Sequence, residues 1–136
     1  MRWWSEPQAG DIMWCRFPED LRLTPGRKPR PALVLTVFDD AAPEYRVRVV
    51  YGTSQKTDRL YAGEFRIAVT DGDAYRLSGL SYTTKFNLKR SVELPYNEEW
   101  FGVPPGAPHG QVPRLGVLHP SLLPRVQAAW AGVRDR

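Results

Sequence analysis

The chain has 136 residues, 42% of them hydrophobic and 25% charged, and a net charge of +4. That length suits one domain able to bury about two-thirds of its unfolded surface, and the balance is that of an ordinary globule. One cysteine, Cys15, and no long apolar run exclude a disulfide-framed scaffold, a cysteine-only metal site and a bilayer-spanning segment.

Arginine supplies most of the positive charge, 15 residues against 4 lysines. A guanidinium is a planar fork that matches phosphate oxygens, whereas an ammonium is a point charge. The bias is compatible with nucleic acid, with an acidic protein partner, or with a merely solvated basic surface. Met1-Arg2-Trp3-Trp4-Ser5-Glu6 lacks the apolar core of a signal peptide, so a cytoplasmic location is expected.

In chain order, residues 11–17 form the first strand candidate, with Cys15 read as a small buried hydrophobe. Pro18–Pro29 is about a dozen residues without apolar periodicity, turning at Pro25-Gly26 and exposing Arg22, Arg27 and Lys28; loops of that length in compact domains are functional or disordered. Residues 31–38 and 45–51 are the next strands. In the latter, Tyr45, Val47 and Val49 point one way and Arg46 and Arg48 the other. Phe65, Ile67 and Val69 alternate against Arg66, Ala68 and Thr70, and Leu80–Phe86 and Lys89–Leu94 are two further strand candidates.

Pro95–Pro113 is irregular, since its prolines forbid a helix or central strand, and Trp100-Phe101 anchors it to the body. Ser121 can cap a terminal helix in which Leu122, Val126, Trp130 and Val133 share one face, with Pro124 tolerated in the first turn. Short strands in series followed by one helix argue for a mainly β fold with a terminal helix, either a small barrel or a strongly bent sheet. It is one domain, 1–136, with a barrel core at about 8–95, a Pro/Gly-rich segment 96–118 and a helix at about 121–134.

Two constellations can carry chemistry. Pro31 pushes Arg30 towards an extended conformation, so its guanidinium leaves from a defined strand start and can stabilise charge on a phosphate. A structural arginine paired with a carboxylate or carbonyl fits the same pattern. Thr53-Ser54-Gln55 follows the strand ending Val50-Tyr51-Gly52; its hydroxyl and amide groups can bond phosphate oxygens or a ribose hydroxyl, although this is also ordinary turn composition. Trp14, Tyr51, Tyr82 and Phe86 can stack on bases, but strand aromatics are more often core. His109 and His119 lack partners at metal-ligand spacing, so no metal site is assigned, and both read as loop or capping residues.

Gly10-Asp11-Ile12-Met13-Trp14-Cys15-Arg16-Phe17, Arg30-Pro31-Ala32-Leu33-Val34-Leu35 and Thr53-Ser54-Gln55, in that order and spacing, resemble the MazF/PemK family of toxin ribonucleases. The similarity runs from about Gly10 to Leu94. It implies a small SH3-like β-barrel of the MazF/PemK/CcdB kind with a terminal helix, usually as a homodimer, and metal-independent cleavage of single-stranded RNA to a 2′,3′-cyclic phosphate and a 5′-hydroxyl, without a cofactor. By resemblance Arg30 takes the place of the catalytic arginine and Thr53 that of the threonine holding the scissile phosphate. Arg16, Arg22, Arg27, Lys28, Ser54, Gln55, Thr84 and Lys85 are the expected RNA contacts, and Leu21–Lys28 matches a mobile loop that a small acidic antitoxin displaces.

Two departures stand out. Arg16 occupies a first-strand position where the family commonly carries aspartate, and Thr84-Lys85 stands where many members have an Asp-Gln pair. The second exchange trades a possible base for a hydroxyl and a cation. A non-catalytic SH3-like module gripping RNA or protein through the same groove is the alternative.

Overall fold

The computed structural model describes residues 1–19 and 24–134. Six strands, β1 (Asp11–Cys15), β2 (Arg30–Phe38), β3 (Arg46–Thr53), β4 (Glu64–Ile67), β5 (Thr84–Pro95) and β6 (Arg114–Val117), are joined by a short helix α1 (Asp73–Ser78) and closed by α2 (Leu123–Arg134). The strands make one sheet in the order β4-β5-β3-β2-β1-β6, every pairing antiparallel. Register shifts at Ile12/Met13, Val34/Thr36 and Val50/Gly52 bend it. The result is a half-barrel with a C-terminal helix, the architecture expected.

Both faces of the sheet carry a core around β1 and the first half of β2, which explains why these read as apolar runs without strict alternation. One face packs Met13, Cys15, Val34, Val47, Val49 and Leu94 against Trp4, Tyr96, Trp100 and Phe101. The other packs Ile12, Leu33, Val50, Phe65, Phe86 and Leu88 beneath Leu122, Val126 and Ala129 of the C-terminal region. Burying side chains on both faces is the main stabilising term, about 1.5–3 kcal/mol for each large apolar group.

Three expectations need correction. The strand candidates at Leu80–Phe86 and Lys89–Leu94 are parts of the single long β5, which begins only at Thr84. The alternation through Val69 stops at Ile67: Val69–Asp71 is a 3-10 turn, Val69 is exposed, and α1 follows. The barrel core does not end at residue 95, because β6, inside the 96–118 segment, pairs with β1 as an edge strand. Its proline, Pro113, sits just before the strand, where a missing N–H costs no ladder bond.

The rest of that segment is tied to the end of β1 and the N-terminus. Gly102 N donates to Trp14 O (3.1 Å), Trp14 N donates to Pro113 O (2.8 Å), and Trp4 Nε1 donates to Phe101 O (3.0 Å). Trp100 and Phe101 are buried anchors, as expected. The terminal helix starts differently from expectation. His119, not Ser121, caps the leading 3-10 turn Pro120–Leu122, its Nδ1 accepting from Ser121 N at 3.1 Å.

α1 and β6 meet backbone to backbone. A Cβ on Gly79 (φ +71°) would strike the Leu115 carbonyl, and one on Gly116 the Leu77 carbonyl. Those glycines seat the loop Leu80–Thr83 beside the ends of β2 and β3.

Candidate functional site

Arg30 opens β2, and Pro31 stands opposite Trp14 in the ladder with β1. The β2–β3 register pairs Ala32 with Tyr51; carried two residues further it sets Arg30 across from Thr53. Both residues border one cavity of about 200 Å³ with Trp14, Ser54, Tyr82 and Thr84. The two sequence positions expected to hold a phosphate are thus brought together.

Arg30 is half-buried, its guanidinium carbon 6.0 Å from the centre of the Tyr51 ring. At that range the ring face holds the cation without neutralising it. Thr53 Oγ1 accepts the Gln55 backbone N–H at 3.1 Å, which leaves its own proton free to point at a ligand oxygen. Ser54 and Gln55 are exposed, but only Ser54 lines the cavity.

A second cavity, about 280 Å³, lies on the other side of Arg30, bordered by Phe17, Glu19, Tyr51 and Arg90. Phe17 and Tyr51 pack at 5.5 Å and 51°, a tilted aromatic floor. Arg90 was not singled out by the sequence; it is one exposed arginine among many, and the break Lys89-Arg90 in the apolar pattern of β5 is its only signal.

The remaining expected contacts divide. Arg16, Arg27 and Lys28 are exposed near the loop's two ends, which Gly26 N joins by donating to Arg16 O at 3.0 Å, yet none lines either cavity. Arg22 and the expected mobile residues Leu21–Leu23 lie outside the described residues. Thr84 does face the cavity, but it is buried and its hydroxyl donates to Tyr82 O at 2.9 Å.

Lys85 is a correction. Its strand neighbours face the cavity and the core, and the ammonium points the opposite way, 6% exposed. It donates to Glu64 Oε1 (3.1 Å) and Arg59 O (3.0 Å) beside the Tyr61 ring. A buried, paired ammonium is not available to RNA. Cys15 is likewise out of reach, fully buried, with burial pushing its thiol up well above the ordinary range.

A larger cavity, about 540 Å³, sits between β4 and α2, remote from Arg30. Its Arg125 is committed to Asp71 through two bonds of 2.7 and 2.8 Å and to Arg66 O at 2.9 Å. That bidentate partner holds the Asp71 carboxyl below its usual range. Size does not mark the site here; the gathering of Arg30 with the hydroxyl-bearing Thr53, Ser54 and Ser81 does. Among the described residues no three His, Cys, Asp or Glu side chains gather as a metal site, and no helix is long and apolar enough to cross a membrane.

No family model matches the chain, and no curated protein does either. Among solved structures it is similar to an endoribonuclease in complex with its cognate antitoxin from Mycobacterial species. The two share a TM-score of 0.56 and 19% identity, over 93% of this chain and 92% of that one. At that identity the likeness establishes the fold, and it spans β1 to α2 rather than the motif segments alone.

Proposed function

We propose that this protein is a metal-independent endoribonuclease toxin of a type II toxin–antitoxin system, acting on single-stranded RNA in the cytoplasm. The observation that carries the reading is the convergence of Arg30 and Thr53 on one cavity, in a fold shared with an endoribonuclease solved with its antitoxin. In this reaction the ribose 2′-oxygen bonds to phosphorus as the P–O5′ bond breaks, leaving a 2′,3′-cyclic phosphate and a 5′-hydroxyl. Arg30 meets the charge that builds on the phosphorane, and the Thr53 hydroxyl donates to a non-bridging oxygen. Among the described residues Glu19 is the one carboxylate bordering either cavity that Arg30 lines, and we assign it the departing 2′-hydroxyl proton; the 5′-oxygen takes its proton from water.

Partners follow from charge. Exposed Arg16, Arg27, Lys28 and Arg90 suit an acidic, disordered antitoxin tail that orders on binding and covers the same groove as RNA. A homodimer is part of the proposal. The second reading, an SH3-like module that binds RNA or protein without cutting, is favoured by one observation: no imidazole or carboxylate lines the Trp14–Tyr82 cavity among the described residues.

Incubation with mixed-sequence RNA in EDTA decides between them. Fragments with cyclic phosphate ends are expected, and Arg30→Ala is expected to slow their formation by about 10²–10³-fold and relieve growth arrest, with an unchanged circular dichroism spectrum. Binding without fragments, or undiminished toxicity of the variant, would leave only the module.

A further inference from the structure

The structure separates the four aromatics that could meet a base. Phe86 is fully buried and stacked on Phe65 at 5.5 Å. Tyr51 lies beneath Arg30 on the Arg90 side. Trp14 and Tyr82 face the 200 Å³ cavity, together with Ser54 and Ser81. Tyr82 is 69% exposed, a large ring held in water beside a cationic site.

That ring is on a fixed platform. Its carbonyl accepts from Thr84 Oγ1 (2.9 Å), Thr83 Oγ1 accepts from Val69 N (3.0 Å), and Gly79 is pressed against Leu115. With the backbone that carries the ring already tied down, less ordering remains to be done when a flat ligand stacks on it.

We propose that the Trp14–Tyr82 cavity is a nucleobase slot, and that Arg90 takes a neighbouring phosphate on the far side of Arg30. The proposal rests on the RNA-cleaving reading and adds a substrate register to it: base in the slot, scissile phosphate at Arg30 and Thr53, next phosphate at Arg90. A volume of about 200 Å³ falls below the range of drug-sized pockets and suits a single ring system. The two serine hydroxyls can each donate or accept, so they can read a base edge, while Trp14 and Tyr82 supply the π-faces. Arg30 borders both cavities, so a single strand passing over it at the sheet's end can reach both.

The test is binding of a short, labelled, mixed-sequence 2′-O-methyl RNA, which lacks the attacking hydroxyl, read by fluorescence anisotropy over a salt series. Tyr82→Ala should weaken binding on the order of tenfold with an unchanged salt slope, and Tyr82→Phe should bind like the parent. Arg90→Ala should weaken binding and reduce the slope by about 0.7. Both side chains are exposed, so neither change threatens the fold. Parent-like affinity in Tyr82→Ala, or equal losses in the Ala and Phe variants, overturns the slot; an unchanged slope in Arg90→Ala overturns the phosphate contact. If those results come with intact Arg30-dependent cleavage, the nuclease reading survives them. Failure of the parent protein both to bind and to cut RNA overturns both.

Discussion

Pro31 removes the helical region from the conformations open to Arg30, so the residue enters β2 extended and presents its guanidinium at the sheet's end, 6.0 Å from Tyr51. Thr53 reaches the same place from β3, its hydroxyl oriented by the Gln55 N–H it accepts. A hydrogen bond to a charged phosphate is worth about 1.5–3 kcal/mol. Thr53→Val keeps the shape and removes the donor, so single-turnover cleavage should fall by about ten- to a hundredfold while the salt slope of RNA binding stays as it was. A parent-like rate in that variant would take Thr53 out of the reaction. In the sequence these two residues stand out only together, since an arginine before a proline and a polar triplet after a strand are each unspecific and take their weight from the family resemblance. Arg90 does not stand out, because only the folded sheet brings it to the cavity that Tyr51 and Arg30 border, a relation no local pattern records.

At the scale of elements, the same limit separates β1–β3 and α2, which periodicity located, from α1 and β6, which it did not. α1 spans only Asp73–Ser78 and buries Ala74 and Ser78, too little to show a helical stripe. β6 has four residues after Pro113 and includes Gly116, and its place depends on the contact with α1. β5 misled in another way: Lys85 reads as a surface cation, yet the long strand carries it between β3 and β4, where Glu64 neutralises it. The two side chains are 8% and 10% exposed, so removing one charge strands the other in a dry place. Lys85→Met should therefore cost about 3 kcal/mol in urea unfolding, and adding Glu64→Leu should restore most of it, as replacing a whole buried pair by apolar groups is often neutral. Additive losses in the double variant would show that the pair does not act as a unit.

For the molecule as a whole, the site occupies the rim where β2 and β3 end, while the groups that govern stability lie in the two cores. Cys15 and Tyr96 belong to the same core, and burial pushes the pKa of both up, with the Asp11 carboxylate adding to the effect on Tyr96. In the unfolded chain the thiol and the phenol lose their protons near 8.5 and 10. The unfolded state then holds fewer protons than the folded one, so the stability from these neutral groups is complete below about pH 8.5 and declines as pH rises beyond it. Asp71 works from the other end: Arg125 lowers its carboxyl, so that contribution is present above the ordinary carboxylate value of about 3.9 and is lost as pH falls below it. The urea midpoint should accordingly be flat near neutrality and drop from pH 8.5 upward, with each ionising group adding a slope of at most about 1.4 kcal/mol per pH unit. Cys15→Ala removes the first of these groups. Between pH 8.5 and 9.5 that variant, though less stable at pH 7, should lose markedly less stability than the parent, and equal losses over that interval would mean that the thiol does not set the alkaline edge.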